Sequence, residues 1–184
     1  MYIDPTLYAG RPAETREENE ERCYELLDRL GVRYYRVDHE AAENIPDCEK
    51  VEGLLGCGIC KNLFLTNRQQ TDFYLLIMPG EKPFKTKLLS KQIGTARLSF
   101  GSPADMERLL DLHPGSVSVL GLMNDREGKV RLLVDRELLE AENFGCHPCR
   151  NTTSLRFSTR ELFDTVLPAV GHAPTWVELP WTVD

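Results

Sequence analysis

Apolar positions at Cys23, Leu26, Leu27 and Leu30 recur at helical spacing. They follow Thr15-Arg16-Glu17-Glu18, which has the spacing of a capping box, and they stop at Gly31, so the pattern predicts a helix over 16–30. Val32-Arg33-Tyr34-Tyr35-Arg36-Val37-Asp38 is rich in β-formers and reads as a strand. A short amphipathic helix is expected over 45–55, with Pro46 in its first turn and Gly56 beyond its end. Lys61 to Thr66 and Asp72 to Met78 read as an antiparallel pair around the polar turn Asn67-Arg68-Gln69-Gln70-Thr71. The second strand is apolar at every position from Phe73 to Met78, the mark of a strand covered on both faces in the middle of a sheet.

Past Pro79-Gly80, a helix carrying Phe84, Leu88, Leu89 and Ile93 closes at Gly94, and 96–100 reads as a short strand. Ser102-Pro103-Ala104-Asp105 opens another helix, which His113-Pro114-Gly115 breaks. Ser116 to Leu120 reads as extended, and Asn124 to Gly128 as a turn into a strand from Lys129 to Val134. Phe144 to His147 and Thr153 to Phe157 are further strands, and Ser158 caps a last helix that stops at Pro168. Helices and strands mix without strict alternation, so the fold class is α+β. The expected organisation is one domain over 1–170, followed over 171–184 by an extended tail that holds Trp176 and Trp181 among prolines. That tail is expected to pack as a strap, with docking onto a partner as the alternative.

Composition narrows this reading. A chain of 184 residues with 41% hydrophobic content can fill one core but not two generous ones. No apolar run reaches the roughly 18 residues of a membrane span, and Met1-Tyr2-Ile3-Asp4-Pro5 does not resemble an export signal. The protein is therefore expected in the cytoplasm with no membrane partner. Six cysteines in that setting mean reduced thiols, a metal or redox chemistry rather than a disulfide framework. The net charge of −7 argues against indiscriminate nucleic-acid binding, and no DNA partner is expected. The charge is nevertheless uneven, because Lys82, Lys85, Lys87, Lys91 and Arg97 stand between 82 and 100 without a single acid. Such a strip on an acidic body suits a phosphate-bearing partner gripped in one place, or else is a solvated helix face.

Two stretches far apart in sequence carry the candidate chemistry, and they are expected to meet in space and flank one pocket. Cys57-Gly58-Ile59-Cys60 runs into Lys61-Asn62, and Cys146-His147-Pro148-Cys149 runs into Arg150-Asn151. Four sulfurs match a structural zinc site in number and type, so Cys57, Cys60, Cys146 and Cys149 are the ligands if zinc is bound. A redox CxxC needs a helix N-terminus to lower its thiol pKa, and the β-like residues after Cys149 do not supply one. Lys61 either snorkels to solvent or serves a purpose, and His147 is either a hydrogen-bonded structural group or a pocket residue. Gly115-Ser116-Val117-Ser118 is a small-residue loop whose N–H groups could converge on an oxyanion or phosphate.

Taken together and in order, Lys61-Asn62-Leu63-Phe64-Leu65, Lys91-Gln92-Ile93-Gly94 with Arg97-Leu98-Ser99-Phe100, Pro114 to Ser118 with Gly121 to Asp125, and His147-Pro148 with Asn151-Thr152 make a recognisable set. Over roughly 15–168 the chain resembles the YbaK and prolyl-tRNA synthetase editing-domain superfamily, and within it the free-standing Ala-tRNA(Pro) deacylases called ProXp-ala, including clostridial PrdX. The resemblance implies a single domain with a curved, mixed, partly barrel-like β-sheet surrounded by helices. It implies hydrolysis of the ester joining a wrong amino acid to tRNA. Lys61 then matches the family's essential lysine, Asn62 its polar neighbour, Gly115 the start of its GxxxP-type loop, and His147 the histidine that shapes the pocket. Asn62, Ser116, Val117, Ser118, Val119 and Asn151 become candidate substrate contacts, with Asn62 and His147 expected to orient the aminoacyl end and Val119 standing where the family's loop ends in proline.

An aminoacyl ester is already activated, so positioning and oxyanion stabilisation suffice and neither a cofactor nor a dedicated nucleophile is required. Accordingly the sequence contains no G-x-S-x-G. The expected partners are the acceptor end of tRNA(Pro), gripped by the basic strip, and a prolyl-tRNA synthetase. The rival readings are the same fold acting on Cys- or Ser-tRNA, and a non-catalytic module that binds zinc or tRNA.

Overall fold

The computed structural model describes residues 1–183. The strands are β1 (Tyr8–Ala9), β2 (Tyr34–Asp38), β3 (Lys61–Thr66), β4 (Phe73–Met78), β5 (Ser99–Phe100), β6 (Val130–Asp135), β7 (Asn143–Cys146), β8 (Thr153–Ser158) and β9 (Thr175–Val177). The longer helices are α1 (Glu18–Arg29), α2 (Ile45–Leu55), α3 (Thr86–Ile93) and α4 (Pro103–Leu110). One sheet has the order β1-β2-β8-β7 and is antiparallel throughout. The other, β5-β3-β4-β6-β9, is mixed, with β6 parallel to both β4 and β9.

The architecture is α+β, but it contains two sheets rather than one barrel-like sheet, and among the described residues no barrel closes. Among the described residues the sheets are joined through backbone at one parallel bridge, between Ile59 and Gly145, where the Cys60 N–H donates to the Gly145 carbonyl at 2.9 Å. Gly145 is required there, since a Cβ would sit 2.5 Å from the Gly58 carbonyl oxygen. The seam stops at this bridge, and β7 ends one residue later at Cys146.

β4 lies in the middle of its sheet and all six of its residues are buried, as its apolar run predicts. Leu75 and Ile77 join a core shared with α1, α4 and the other sheet. Tyr74, Leu76 and Met78 face a second core with Leu89, Leu98 and Leu179. A third cluster, Val37, Val51 and Leu55, seats α2 over β2. The sequence signals for α2 hold in detail, since Asn44 caps the Asp47 N–H at 2.9 Å and Gly56 takes φ +83.

Elsewhere the prediction and the structure differ. The capping box at Thr15 is absent, because α1 starts at Glu18 and Glu21 instead accepts the Arg16 N–H at 2.8 Å. The expected strand over 116–120 gives way to a 3-10 turn, Val119–Asn124, because the Ser118 side chain caps the Leu120 N–H at 3.2 Å. The last helix passes through Pro168 to Ala169, and a π-helical stretch at Leu162–Val166 makes room for the residue that cannot donate. The strap becomes an edge strand, β9, and Trp176 packs against Phe163. No helix among the described residues is long and apolar enough to cross a membrane.

Burial on both faces of β4 sets a test. Leu75→Ala and Leu76→Ala, on opposite faces, are each expected to cost about 2–5 kcal/mol in urea unfolding. A cost below about 1 kcal/mol for either would mean that its face is not packed.

Candidate active site

Three turns deliver the site. Behind α2, the Ile59 N–H donates to Glu52 Oε1 at 3.0 Å and the Cys60 N–H to the seam, which places Lys61 at the mouth between the sheets. Its strand pairs with β4 in the register Lys61 to Met78, so the chain that leaves β4 through Pro79-Gly80 returns past Lys61. Gly80 comes so close to Ile59 that a Cβ would lie 2.4 Å from the Ile59 carbonyl oxygen, a contact only glycine permits. Lys61 Nζ then donates to the Lys82 carbonyl at 2.5 Å. Burial depresses its pKa below the usual lysine value, with no acid contributing to the shift.

The second turn follows β7. His147 Nδ1 lies 2.8 Å from the Thr153 carbonyl oxygen. A carbonyl only accepts, so Nδ1 carries the proton and Nε2 keeps its lone pair. Burial lowers the His147 pKa, the bond to Thr153 raises it, and the neighbouring His39 lowers it further, leaving a net downward shift and a neutral ring. His39 is itself buried, with Nδ1 2.7 Å from the Glu40 carbonyl and Nε2 2.8 Å from Ser154 Oγ. The same logic makes the Ser154 hydroxyl the donor to His39. After Pro148, Cys149 adopts φ +61, and this reversal turns the chain toward Asn151 and β8.

The third turn contains Gly115 at φ +85, where an added Cβ would lie 3.6 Å from Asn151 Nδ2. The Ser116 N–H donates to the His113 carbonyl at 3.0 Å within the turn, so it is not available to a ligand. Lys61, Gly115, His147 and Asn151 all line one cleft of about 650 Å³, which His39 and Ser154 and, from α2, Ile45, Cys48 and Val51 also line. A cationic amine, a neutral imidazole with a free lone pair, an amide side chain and a glycine turn can together hold a polar group and a small apolar one.

Residues 39–165 match the family model described as an aminoacyl-tRNA editing domain. The chain belongs to this family. The chemistry that accompanies membership is hydrolysis of an aminoacyl-tRNA ester. The editing domain is 29% identical over 153 residues to the prolyl-tRNA editing protein ProX of Acetoanaerobium sticklandii, covering 83% of this chain and 93% of that one. It is 27% identical over 166 residues to the prolyl-tRNA synthetase associated domain-containing protein 1 of Bos taurus, covering 88% and 94%. A solved structure of a candidate trans-editing enzyme for prolyl tRNA synthetase superposes with a TM-score of 0.65 at 14% identity, covering 90% of this chain and all of that one. At that identity the likeness concerns the fold.

Other residues singled out in the sequence lie elsewhere in the editing domain. Asn62 turns away from the cleft and donates to the Cys60 carbonyl and to Cys60 Sγ, both at 3.3 Å. Val119 is buried in the main core and Val117 packs on it. Ser118 is fully buried and donates to the His147 carbonyl at 2.6 Å, so it supports the site from behind. Lys85, Lys87, Lys91 and Arg97 are exposed. Lys82 is not part of that strip, because its ammonium is buried 2.7 Å from Asp135 Oδ2 and cannot meet a phosphate.

The two CxxC segments adjoin at the seam, yet Cys149 Sγ lies 3.4 Å from Cys23 Sγ rather than in a four-sulfur cluster. Among the described residues, no group of three or more His, Cys, Asp or Glu is placed to hold a metal ion. Burial pushes the Cys57 thiol up to about 11 and that of Cys60 to about 12, so both are protonated near neutral pH. Sequence reasoning missed His39, Ser154 and Gly80. The first two become neighbours only through the β2–β8 register, which pairs Val37 with Ser154.

The half-buried, neutral ring makes stability depend on pH. Unfolded, an imidazole protonates near pH 6.5; folded, His147 does so only at lower pH, so the unfolded state binds more protons in that window. Stability therefore falls as pH drops from about 6.5 toward the folded pKa. His147→Asn is expected to flatten this dependence in urea midpoints taken between pH 7 and 5. Parallel curves for the two proteins would contradict a neutral His147 ring whose pKa is lowered in the fold.

Proposed function

We propose that this editing domain is a free-standing deacylase that clears mischarged tRNA(Pro), with Ala-tRNA(Pro) as its preferred substrate. The observation that carries the reading is the convergence of Lys61, Gly115, His147 and Asn151 on one cleft within a chain of the editing family. Its relative ProX, named as a prolyl-tRNA editing protein, supports proline tRNA as the carrier.

In this mechanism the ester needs placement more than activation. Lys61 holds the terminal nucleotide through its phosphate or ribose oxygens. The Gly115 N–H, which has no hydrogen-bond partner among the described residues, faces the substrate carbonyl and stabilises the oxyanion that water attack creates. The terminal ribose hydroxyl helps to activate that water. His147 Nε2 accepts a hydrogen bond from the aminoacyl end, and Asn151 takes the orienting role first expected of Asn62. Proline is rejected by its ring, although an apolar wall separates neighbouring side chains by only about 1–3 kcal/mol. Such a margin is useful because a synthetase has already sieved the amino acids. The four exposed bases of the strip meet the acceptor-stem backbone, and a prolyl-tRNA synthetase is the partner that would supply substrate.

Lys61→Ala is expected to lower deacylation of Ala-tRNA(Pro) at least about 100-fold while circular dichroism and the urea transition stay unchanged; an active variant would remove the central assignment. Incubation with tRNA(Pro) charged with Ala, Cys, Ser or Pro should deplete the alanyl ester fastest, and faster loss of the cysteinyl or seryl ester would transfer the preference. Reversing Lys85 and Lys87 to Glu should raise KM for tRNA and make its salt dependence shallower, with a log–log slope reduced by about two. No change in either quantity would leave the strip as a solvated face.

A further inference from the structure

Lys82 is the only buried lysine among the described residues, and its two ends do different things. Its side chain reaches away from the cleft to Asp135, the last residue of β6, at 2.7 Å, and to Glu137 at 3.5 Å. Its main chain turns toward the cleft, where the carbonyl accepts Lys61 Nζ at 2.5 Å. The C-terminal segment closes the outer side. The Trp181 ring centre lies 5.5 Å from Lys82 Nζ, and Trp181 Nε1 donates to Glu137 Oε1 at 2.9 Å. β9 pairs Val177 with Asp135, so this segment is hydrogen-bonded to the strand that carries the carboxylate.

A buried carboxylate that loses its cation is strongly unfavourable. The loop over 79–85 therefore cannot swing away without leaving Asp135 uncompensated, and the carbonyl holding Lys61 stays where the ion pair puts it. Gly80 and Glu81 of the same loop line the cleft beside Lys61, whose ammonium is held in a partly desolvated position. We propose that Lys82 is a positioning residue for the editing reaction, fixing the Lys61 ammonium through its own carbonyl while Asp135, Glu137 and Trp181 latch its side chain. The inference rests on Lys61 acting in the reaction.

Lys61→Ala is measured first, since full activity there would sink the underlying reading and this inference with it. With Lys61→Ala inactive, single-turnover deacylation of Ala-tRNA(Pro) is followed over a range of protein concentrations. Lys82→Met is expected to lower the limiting rate about 10- to 100-fold, with half-saturation moving less than about twofold. In lysine-labelled protein, the Lys61 Cε resonance should titrate at higher pH in Lys82→Met than in the wild type, a change that general loosening of a distant core would not produce. A folded Lys82→Met with the wild-type limiting rate and Lys61 titration overturns the proposal. So does a rise in half-saturation alone, which would make Lys82 a tRNA contact. Where Lys82→Met does not give a cooperative urea transition, Trp181→Ala decides, since it removes an exposed ring and the Glu137 donor but leaves the ion pair. Its limiting rate is expected to fall at least threefold, and an unchanged rate overturns the latch.

Discussion

The site depends on the narrow seam where the Cys60 N–H meets the Gly145 carbonyl. Each CxxC segment reaches it from a different sheet, and the residues just beyond, Lys61 on one side and His147 on the other, inherit their proximity from that contact. Glycine at 145 lets the two backbones touch, and the pairing ends there, with β7 itself ending at Cys146. The two sheets share a hydrophobic core, and the backbone bridge between them brings Lys61 and His147 to the same cleft.

Around the opening, polar groups are held by fixed partners. Thr153 sets the His147 tautomer, Ser118 holds the His147 backbone, and Ser154 links His39 to the same strand. In a site of low dielectric, groups fixed in advance act on a developing charge without reorganising, which suits a reaction whose barrier lies in an oxyanion rather than in making a nucleophile. The ionic groups divide by task. Lys82 is buried and paired, holding the loop beside Lys61, whereas Lys85, Lys87, Lys91 and Arg97 remain in water, where they are open to a phosphate backbone.

Much of the local structure is legible in the chain. Asn44, Pro46 and Gly56 mark α2 because capping and a left-handed stop are local requirements. The run from Phe73 to Met78 announces a strand covered on both faces because burial leaves no polar side. The segments around Lys61, Lys91, Arg97, Gly115, Gly121, His147 and Asn151, in that order along the chain, were enough to suggest the family, and the two CxxC stretches a shared pocket. The extended reading of 116–120 failed because one serine hydroxyl, capping the next turn, outweighed the β-propensity of two valines.

What the sequence determined by itself was the set of periodic elements, the turn residues and the kind of chemistry available, since each depends on neighbours a few positions away. Only the tertiary structure decided which polar groups face the cleft. Lys82 and Lys85 look alike in the sequence, yet one is buried against Asp135 and the other is solvated. Asn62 and Asn151 look equally fit to hold a substrate, yet the first bonds to Cys60 and the second faces Gly115. The reason is that a side chain's role follows from which distant backbone or charge it meets, and those meetings are set by sheet register and by one bridge between sheets, neither of which any short stretch of sequence encodes.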